Sequence, residues 1–281
     1  MDRLESHRVF FANLVATNAG VPRDGRIAAA FASTRREDFL GPGPWKIFAA
    51  GKIFDTPSAD PAVLYQDVVV AISPERGINN GQPVLHAVCL SALDLKEGET
   101  VLHVGAGTGY YTALIAKLVG PAGFVIAYEI EPDLAQNAAN NLKAFPNVSV
   151  QACSGAGAPL PDCDAIYVNA GATSPLDVWL AALRPGGRLL FPLTPAERPG
   201  GTAGVGAMLL VTRFVSGNYA ARFVSSAMFI PCAGARDEET GARLSAAFAR
   251  GDLKSVRSLR RNSAPDETCW CAGKGWWLSK S

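Results

Sequence analysis

The sequence predicts an α/β fold built on a mostly parallel sheet, and three observations carry that reading. A β-forming run, Val101 to Val104, enters the turn Gly105-Ala106-Gly107-Thr108-Gly109 and then an apolar run at helical spacing, Tyr110 to Ala116. Strand-like and helix-like segments alternate from residue 100 to residue 192, the order that lays helices against a parallel sheet. Two β-rich runs, about 206–214 and 221–229, flank Ser216-Gly217-Asn218 and read as an antiparallel hairpin.

Residues 4–18 are expected to form an amphipathic helix with Leu4, Phe10, Phe11, Leu14 and Val15 on its inner face. Gly20 to Gly25 breaks it. Asp24 is placed to cap a second helix, Arg26 to Thr34, in which Ile27, Ala30 and Phe31 share a face. Asp38-Phe39 precedes a Gly/Pro loop, Gly41 to Pro44, and residues 45–66 hold no period because Pro57 and Pro61 interrupt them. A β-rich run, Val68 to Ile72, leads to a polar loop, Ser73 to Gly81. Proline suits a first helical turn, so Pro83 opens a helix with Val84, Leu85, Val88, Leu90 and Leu93 as its buried positions.

The strands of the alternating region are expected at 100–104, 124–128, 148–152, 164–169 and 187–192, and the helices at 109–119, 132–143 and 175–183. Leu183 to Arg188 reads as a turn. Beyond the hairpin, Asp237 to Arg250 predicts a helix stopped by Gly251, and the basic stretch Lys254 to Arg261 reads most simply as a solvated helix face. Thr268 to Cys271 and Trp276 to Leu278 suggest a terminal β-hairpin. The predicted organisation is an N-terminal helical and loop region (1–98), a ligand-binding domain (99–231) and an extension (232–281).

The chain has 281 residues, 48% hydrophobic and 18% charged, which describes a globular protein. A formal net charge of +1 gives no global electrostatic case for nucleic acid or a membrane surface. No apolar run is long enough for a membrane span, and the N-terminus lacks the apolar core of a signal peptide. Six scattered cysteines read as reduced thiols in a cytoplasmic protein. Cys269-x-Cys271 has no second cysteine pair, and the three histidines are distant in sequence, so no metal site is expected.

The chemistry concentrates at the glycine turn. Glycines admit positive φ and let a ligand approach the backbone, while the following helix turns its free N–H groups toward it. Glu129, at the end of the next apolar strand, can accept hydrogen bonds from ribose hydroxyls. The implied site is one for a nucleoside cofactor. A dinucleotide fingerprint needs glycine where Tyr110 stands, which disfavours a nicotinamide enzyme. The G-x-G-x-G form with its following acid resembles motif I of the S-adenosylmethionine-dependent methyltransferases.

The resemblance is wider than that motif. GVPRDGRIAAAF with REDFL, Tyr65-Gln66-Asp67, QPVLHA at 82–87, VLHVGAGTGYYTA at 101–113, CDAIYVNAGA at 163–172 and LRPGGRLLFPL at 183–193 are together similar to the protein-L-isoaspartate (D-aspartate) O-methyltransferases. The resemblance implies a Rossmann-like, class I methyltransferase fold: a doubly wound, seven-stranded, mostly parallel sheet with N-terminal helices and a small C-terminal extension. It implies S-adenosyl-L-methionine as cofactor and methyl transfer to the α-carboxylate of an isoaspartyl residue in damaged protein, whose ester collapses to a succinimide. The partner would be a protein or peptide carrying a carboxylate acceptor, with neither nucleic acid nor membrane involved. A carboxylate is already a nucleophile, so positioning and desolvation suffice and no catalytic dyad is required.

The resemblance places Ile78, His86, His103, Gly105, Ala106, Gly107, Gly109, Glu129, Ile130, Ser154, Gly155 and Asn169 at the cofactor. Asn79, Asn80 and Gly81 stand at the catalytic positions, where the family has Thr-Ile-Ser, so the serine hydroxyl is absent. His103 replaces an acid before the glycine turn, and Cys153-Ser154-Gly155 replaces Gly-Asp-Gly. Loop 67–83 is about two residues longer than the family's. Two other readings stay open: a methyltransferase of the same family with a different carboxylate or other acceptor, and a non-catalytic S-adenosylmethionine-binding module that uses the tail as a partner surface.

Overall fold

The computed structural model describes residues 2–49, 52–157, 159–195 and 204–281. Helix α1 (Arg3–Ala19) begins where the Asp2 carboxylate accepts the Glu5 N–H at 2.8 Å, and it ends at Gly20 in the left-handed conformation. Its buried stripe is Phe11, Ala12, Val15 and Ala16, whereas Phe10, expected inward, is 69% exposed and Leu14 also faces solvent. Ala16 packs with Val21 and with Ala28 of α2 (Arg26–Ser33), a close approach that only small residues permit. Gly25, not Asp24, precedes α2, and no side chain caps it.

The aperiodic stretch 45–66 contains a hairpin, β1 (Lys46–Ala49) and β2 (Lys52–Asp55), with its prolines beyond the strands. β3 (Val69–Ser73) pairs antiparallel with β1 and with β4 (Ile78–Asn79), giving a four-stranded sheet in the order β2-β1-β3-β4. Helix α3 (Pro83–Leu93) is rotated relative to the expectation. It buries Pro83, His86, Ala87, Cys89, Leu90 and Leu93 and leaves Val84, Leu85 and Val88 half-covered. That rotation turns His86 inward.

The alternating region follows as β5 (Thr100–Val104), α4 (Tyr110–Val119), β6 (Phe124–Tyr128), α5 (Pro132–Asn141), β7 (Val148–Gln151), β8 (Cys163–Val168) and α6 (Asp177–Ala182). β9 (Leu183–Leu193) is longer than expected because the Pro-Gly-Gly turn is absorbed as a bulge: Cys163 pairs with Leu183, yet Ala165 pairs with Arg188. The hairpin is β10 (Gly204–Arg213) and β11 (Tyr219–Phe229). The tail holds α7 (Glu238–Arg250), β12 (Ser258–Arg261), β13 (Cys269–Gly273) and β14 (Trp276–Ser279). The basic stretch is therefore a 3₁₀ turn and a strand, not a helix face, because Leu259 finds Tyr219 of β11 as a ladder partner.

The chain divides into two compact units, Met1–Gly98 with Ala106–Cys153 and Glu99–Gly105 with Ser154–Ser281. The first contains the four-stranded sheet, the parallel pair β6–β7 and helices α1 to α5. The second contains a mixed sheet in the order β5-β8-β9-β10-β11-β12-β14-β13, parallel from β5 to β9 and antiparallel thereafter. The tail thus lengthens that sheet by three strands. α7 brings Phe248 against Phe223 of β11 and Trp270 of β13, with ring centroids 5.9 and 5.4 Å away. No helix among the described residues is long and apolar enough to cross a membrane.

Candidate active site

In the first unit, the glycine turn is held by an acid. The Glu129 carboxylate accepts the Gly107 N–H at 2.6 Å and the Glu131 N–H at 3.0 Å, and Ala106 N–H donates to the Tyr128 carbonyl at 3.1 Å. Burial pushes the Glu129 carboxyl above its ordinary value, and the amides of Glu131 and Gly107 pull it back. Gly105, Gly107 and Gly109 all have positive φ, and a Cβ on Gly109 would meet Leu142 Cδ1 at 2.8 Å. A Cβ on Gly107 would meet only Ile72 Cδ1, at 3.8 Å, so the backbone is open there to a ligand. Ile130, beside the acid, is 49% exposed.

The loop from Asp67 to Gln82 is closed at both ends. Asp67 caps α3 by accepting the Val84 N–H at 2.9 Å and the Gln82 side-chain amide at 2.8 Å. Arg36, fully buried, donates to the carbonyls of Leu64, Gln66 and Val68 at 2.6, 3.0 and 2.6 Å and reaches Asn80 Oδ1 at 3.5 Å. Asn80 Oδ1 also accepts the Val70 N–H at 2.8 Å, while its Nδ2, buried, has no partner among the described residues. Asn79 Oδ1 accepts the Gly81 N–H at 2.9 Å. Ile78 pairs with Ser73 at the β3–β4 turn. Arg76, in that loop, binds Glu131 at 2.8 Å and Asp133 at 2.7 Å, tying the loop to the residues that follow Ile130. His86 is buried and lies flat on Tyr111, ring centroids 3.4 Å apart.

In the second unit, His103 is fully buried in β5, and burial pushes its imidazole down to about 3, so the ring is neutral. Its Nε2 lies 2.7 Å from Asn169 Nδ2, which donates, and Asn169 N–H donates to the Val104 carbonyl at 2.8 Å. Asn169 Oδ1 is a buried acceptor with no partner among the described residues. The Asn169 carbonyl lies 3.5 Å from where a Cβ on Gly105 would stand. Ser154 Oγ accepts the Ala156 N–H at 3.2 Å, and the Gly155 carbonyl accepts the buried Trp179 indole N–H at 2.8 Å.

The first unit therefore gathers Ile78, Asn79, Asn80, Gly81 and His86 on one loop and helix, and Ala106, Gly107, Gly109, Glu129 and Ile130 around the turn. The second gathers His103, Gly105 and Asn169, with Ser154 and Gly155 on the loop braced by Trp179. Sequence reasoning missed Arg36, Arg76, Tyr111 and Trp179. Arg36 lies in the REDFL stretch and Tyr111 in VLHVGAGTGYYTA, both usable pointers; Arg76 and Trp179 act through contacts that leave no local pattern.

The fold is that of an α/β protein with a glycine turn held by a buried acid. Within that class, the chain belongs to the protein-L-isoaspartate(D-aspartate) O-methyltransferase family, whose profile matches residues 11–236 and stops before α7. Protein-L-isoaspartate O-methyltransferase 2 of Archaeoglobus fulgidus is 33% identical over 156 residues, covering 54% of this chain and 68% of that protein. The Methanopyrus kandleri protein-L-isoaspartate O-methyltransferase is 39% identical over 123 residues, covering 42% and 54%. The chain spans about half to two thirds of the length of these curated relatives. A solved protein-L-isoaspartate O-methyltransferase superimposes with a TM-score of 0.65 at 23% identity, over 91% of this chain and 72% of that one. A Plasmodium falciparum chain described as a protein-L-isoaspartate O-methyltransferase, crystallised with S-adenosyl-L-homocysteine, gives 0.62 at 20% identity, over 81% and 98%. These likenesses show the doubly wound α/β fold of the class I methyltransferases.

Proposed function

We propose that the chain is an S-adenosylmethionine-dependent carboxyl O-methyltransferase acting on isoaspartyl residues of damaged proteins. The observation that carries this reading is the Glu129–Gly107 hydrogen bond, a buried acid set against an unobstructed glycine turn in a chain of this family. The residues fit the cofactor: the backbone at Gly107 is free of a Cβ, and the buried Asn169 Oδ1 has no partner among the described residues. In the first unit, Ala106, Gly107 and Gly109 would bear the amino-acid end, Glu129 the ribose and Ile130 the adenine; in the second, Gly105 would bear the amino-acid end and Ser154 and Gly155 the adenine. Asn169 would meet the amino-acid end, and Ile78 and His86 the methyl end.

When bound, S-adenosylmethionine supplies a methyl group on a sulfonium, which a carboxylate can take without a base. The chain has to hold the acceptor, align it and exclude water. Burial pushes the Tyr110 and Tyr111 phenols well above their ordinary value, so both are neutral hydroxyls. Asn80 and Arg36 fix the acceptor loop rather than attack anything. In this reading, residues 1–98 serve the acceptor, 99–231 the cofactor, and 232–281 extend the sheet. The six free cysteines support a reducing, cytoplasmic setting.

A second reading has one observation in its favour: no hydroxyl stands at residues 79–81, which suits a carboxylate acceptor other than isoaspartate. Labelled-methyl transfer to an isoaspartyl peptide, beside its aspartyl twin and a panel of small carboxylates, tests both. A base-labile methyl ester on the isoaspartyl peptide is expected. Incorporation only into another acceptor would replace the first reading with the second.

A further inference from the structure

We infer that Asn169 Oδ1 accepts a hydrogen bond from the α-ammonium group of the cofactor, and that His103 is the positioning residue that turns the Asn169 amide so that this oxygen is the one offered. This rests on the reading of the site as one for S-adenosylmethionine. The pair lies at the carboxyl end of the parallel strands of the second unit. Asn169 directly follows β8 and Gly105 directly follows β5, and the two strands are parallel neighbours with Val104 beside Val168. They are remote in sequence, and the crevice beyond the carboxyl ends of such strands is where open α/β sheets take ligands. Asn169 borders the first glycine of the turn at contact distance: a Cβ on Gly105 would lie 3.4 Å from its carbonyl carbon and 3.6 Å from its Cβ.

The orientation of the amide follows from its partners. The Asn169 N–H donates to the Val104 carbonyl at 2.8 Å, which fixes the backbone, and Nδ2 lies 2.7 Å from His103 Nε2. The imidazole is fully buried and stacked with Tyr167 at an interplanar angle of 11°, ring centroids 5.6 Å apart, so it does not turn away. Burial also holds it neutral, and a neutral ring that accepts at Nε2 carries its proton on Nδ1. With Nδ2 spent in this way, Oδ1 on the other branch of the amide is an acceptor with no partner among the described residues. A buried oxygen in that position is costly unless a donor meets it. The cofactor carries three kinds of donor: the α-ammonium, the ribose hydroxyls and the adenine amino group. Only the ammonium belongs to the amino-acid end, the end assigned to Gly105, and a bond to it is charge-assisted. An amide oxygen accepts that bond without a net charge, so it does not repel the α-carboxylate on the same carbon.

The test measures the binding of three adenosine thioethers by calorimetry: S-adenosylhomocysteine, its analogue without the α-amino group and its analogue without the α-carboxylate. Wild type is compared with Asn169→Ala, His103→Leu and the double variant, each melted without ligand to check folding. Asn169→Ala is expected to weaken S-adenosylhomocysteine and the amine-bearing analogue about tenfold or more, and the analogue without the amine by less than about twofold. His103→Leu should weaken the same two ligands severalfold, and adding it to Asn169→Ala should cost nothing more. The inference is overturned if the analogue without the amine loses as much as S-adenosylhomocysteine, if the losses follow the carboxylate instead, or if no ligand responds. Nitrogen-15 NMR of histidine-labelled wild type gives a reading that needs no variant. A proton on Nδ1 with Nε2 bare is expected for His103, and a protonated Nε2 overturns its positioning role. Should wild type bind none of the three thioethers, it is the S-adenosylmethionine reading that falls, and the ammonium contact with it, while the tautomer still decides how His103 holds the amide.

Discussion

The carboxylate of Glu129 and the backbone amide of Gly107 are 2.6 Å apart, so the acid that closes the second strand also sets the conformation of the glycine turn. One residue thereby ties the ribose end of the proposed site to its backbone cradle. Glu129→Ala removes a charge-assisted hydrogen bond worth about 1.5–3 kcal/mol. The expected result is S-adenosylhomocysteine binding weakened by roughly tenfold to a hundredfold, read by calorimetry, with the melting temperature lowered by several degrees. Glu129→Gln keeps an acceptor oxygen for the Gly107 amide and should fall between the two.

Arg36 is a structural post rather than a ligand. It is fully buried and satisfies three carbonyls of the 64–68 segment. Arg36→Met keeps the volume but strands those carbonyls, at a cost of about 3–5 kcal/mol. Urea unfolding measures it; a loss under 1 kcal/mol would mean that the loop is held by something else.

Arg76 predicts a different signature. Its pairs with Glu131 and Asp133 are short but open to solvent, with side chains 34%, 38% and 56% exposed, so they add little to stability. They do fix the acceptor loop beside Ile130. Arg76→Ala should leave the melting temperature unchanged and speed cofactor dissociation severalfold at low salt. Near 1 M salt, where screening is nearly complete, the difference from wild type should vanish.

His103 predicts the acid behaviour. Its folded value, about 3, is below the ordinary 6.5, so the native state favours the neutral ring. The stabilising difference is fully present above pH 6.5 and is lost as pH falls toward 3. Between pH 7 and pH 5 wild type should lose about 2 kcal/mol through this group. His103→Leu should flatten that part of the stability profile, measured by urea unfolding at each pH.

The tail is expected to be integral to the second unit. Trp270 is 2% exposed, meets Phe223 edge-on at 5.1 Å, and donates its indole N–H to the Gly251 carbonyl at 2.9 Å. Trp270→Ala opens a cavity at a cost of about 3–5 kcal/mol. Calorimetric melting should record that loss.

The strands from Thr100 to Val168 were legible because β-branched runs end in glycines or turns, and the glycine turn was legible because Gly105, Gly107 and Gly109 mark a backbone that takes positive φ. The inner face of α3 was not: the residues at 83, 86, 90 and 93 form a regular stripe, but His86 does not count as apolar until its ring is seen against Tyr111. Arg257 to Arg261 gave no strand signal because its charges dominate; pairing of Leu259 with Tyr219 and with Leu278 decides its conformation. Arg36 and Asp67 work through carbonyls and amides distant in sequence, and such partners leave no spacing to read.

The lengthened sheet has a consequence for how the protein behaves among other chains. A sheet ending at β11 would offer an eleven-residue ladder of unpaired backbone groups, an invitation to strand exchange. With three strands added, the outermost is β13, only five residues long and broken in register between Cys269 and Cys271. A foreign strand seeking to zip onto that margin meets a kink after its first residue, and β12 pairs with β11 only at Tyr219 and Ala220, so the tail blunts the sheet edge at that end of the ladder and not along the remainder of β11.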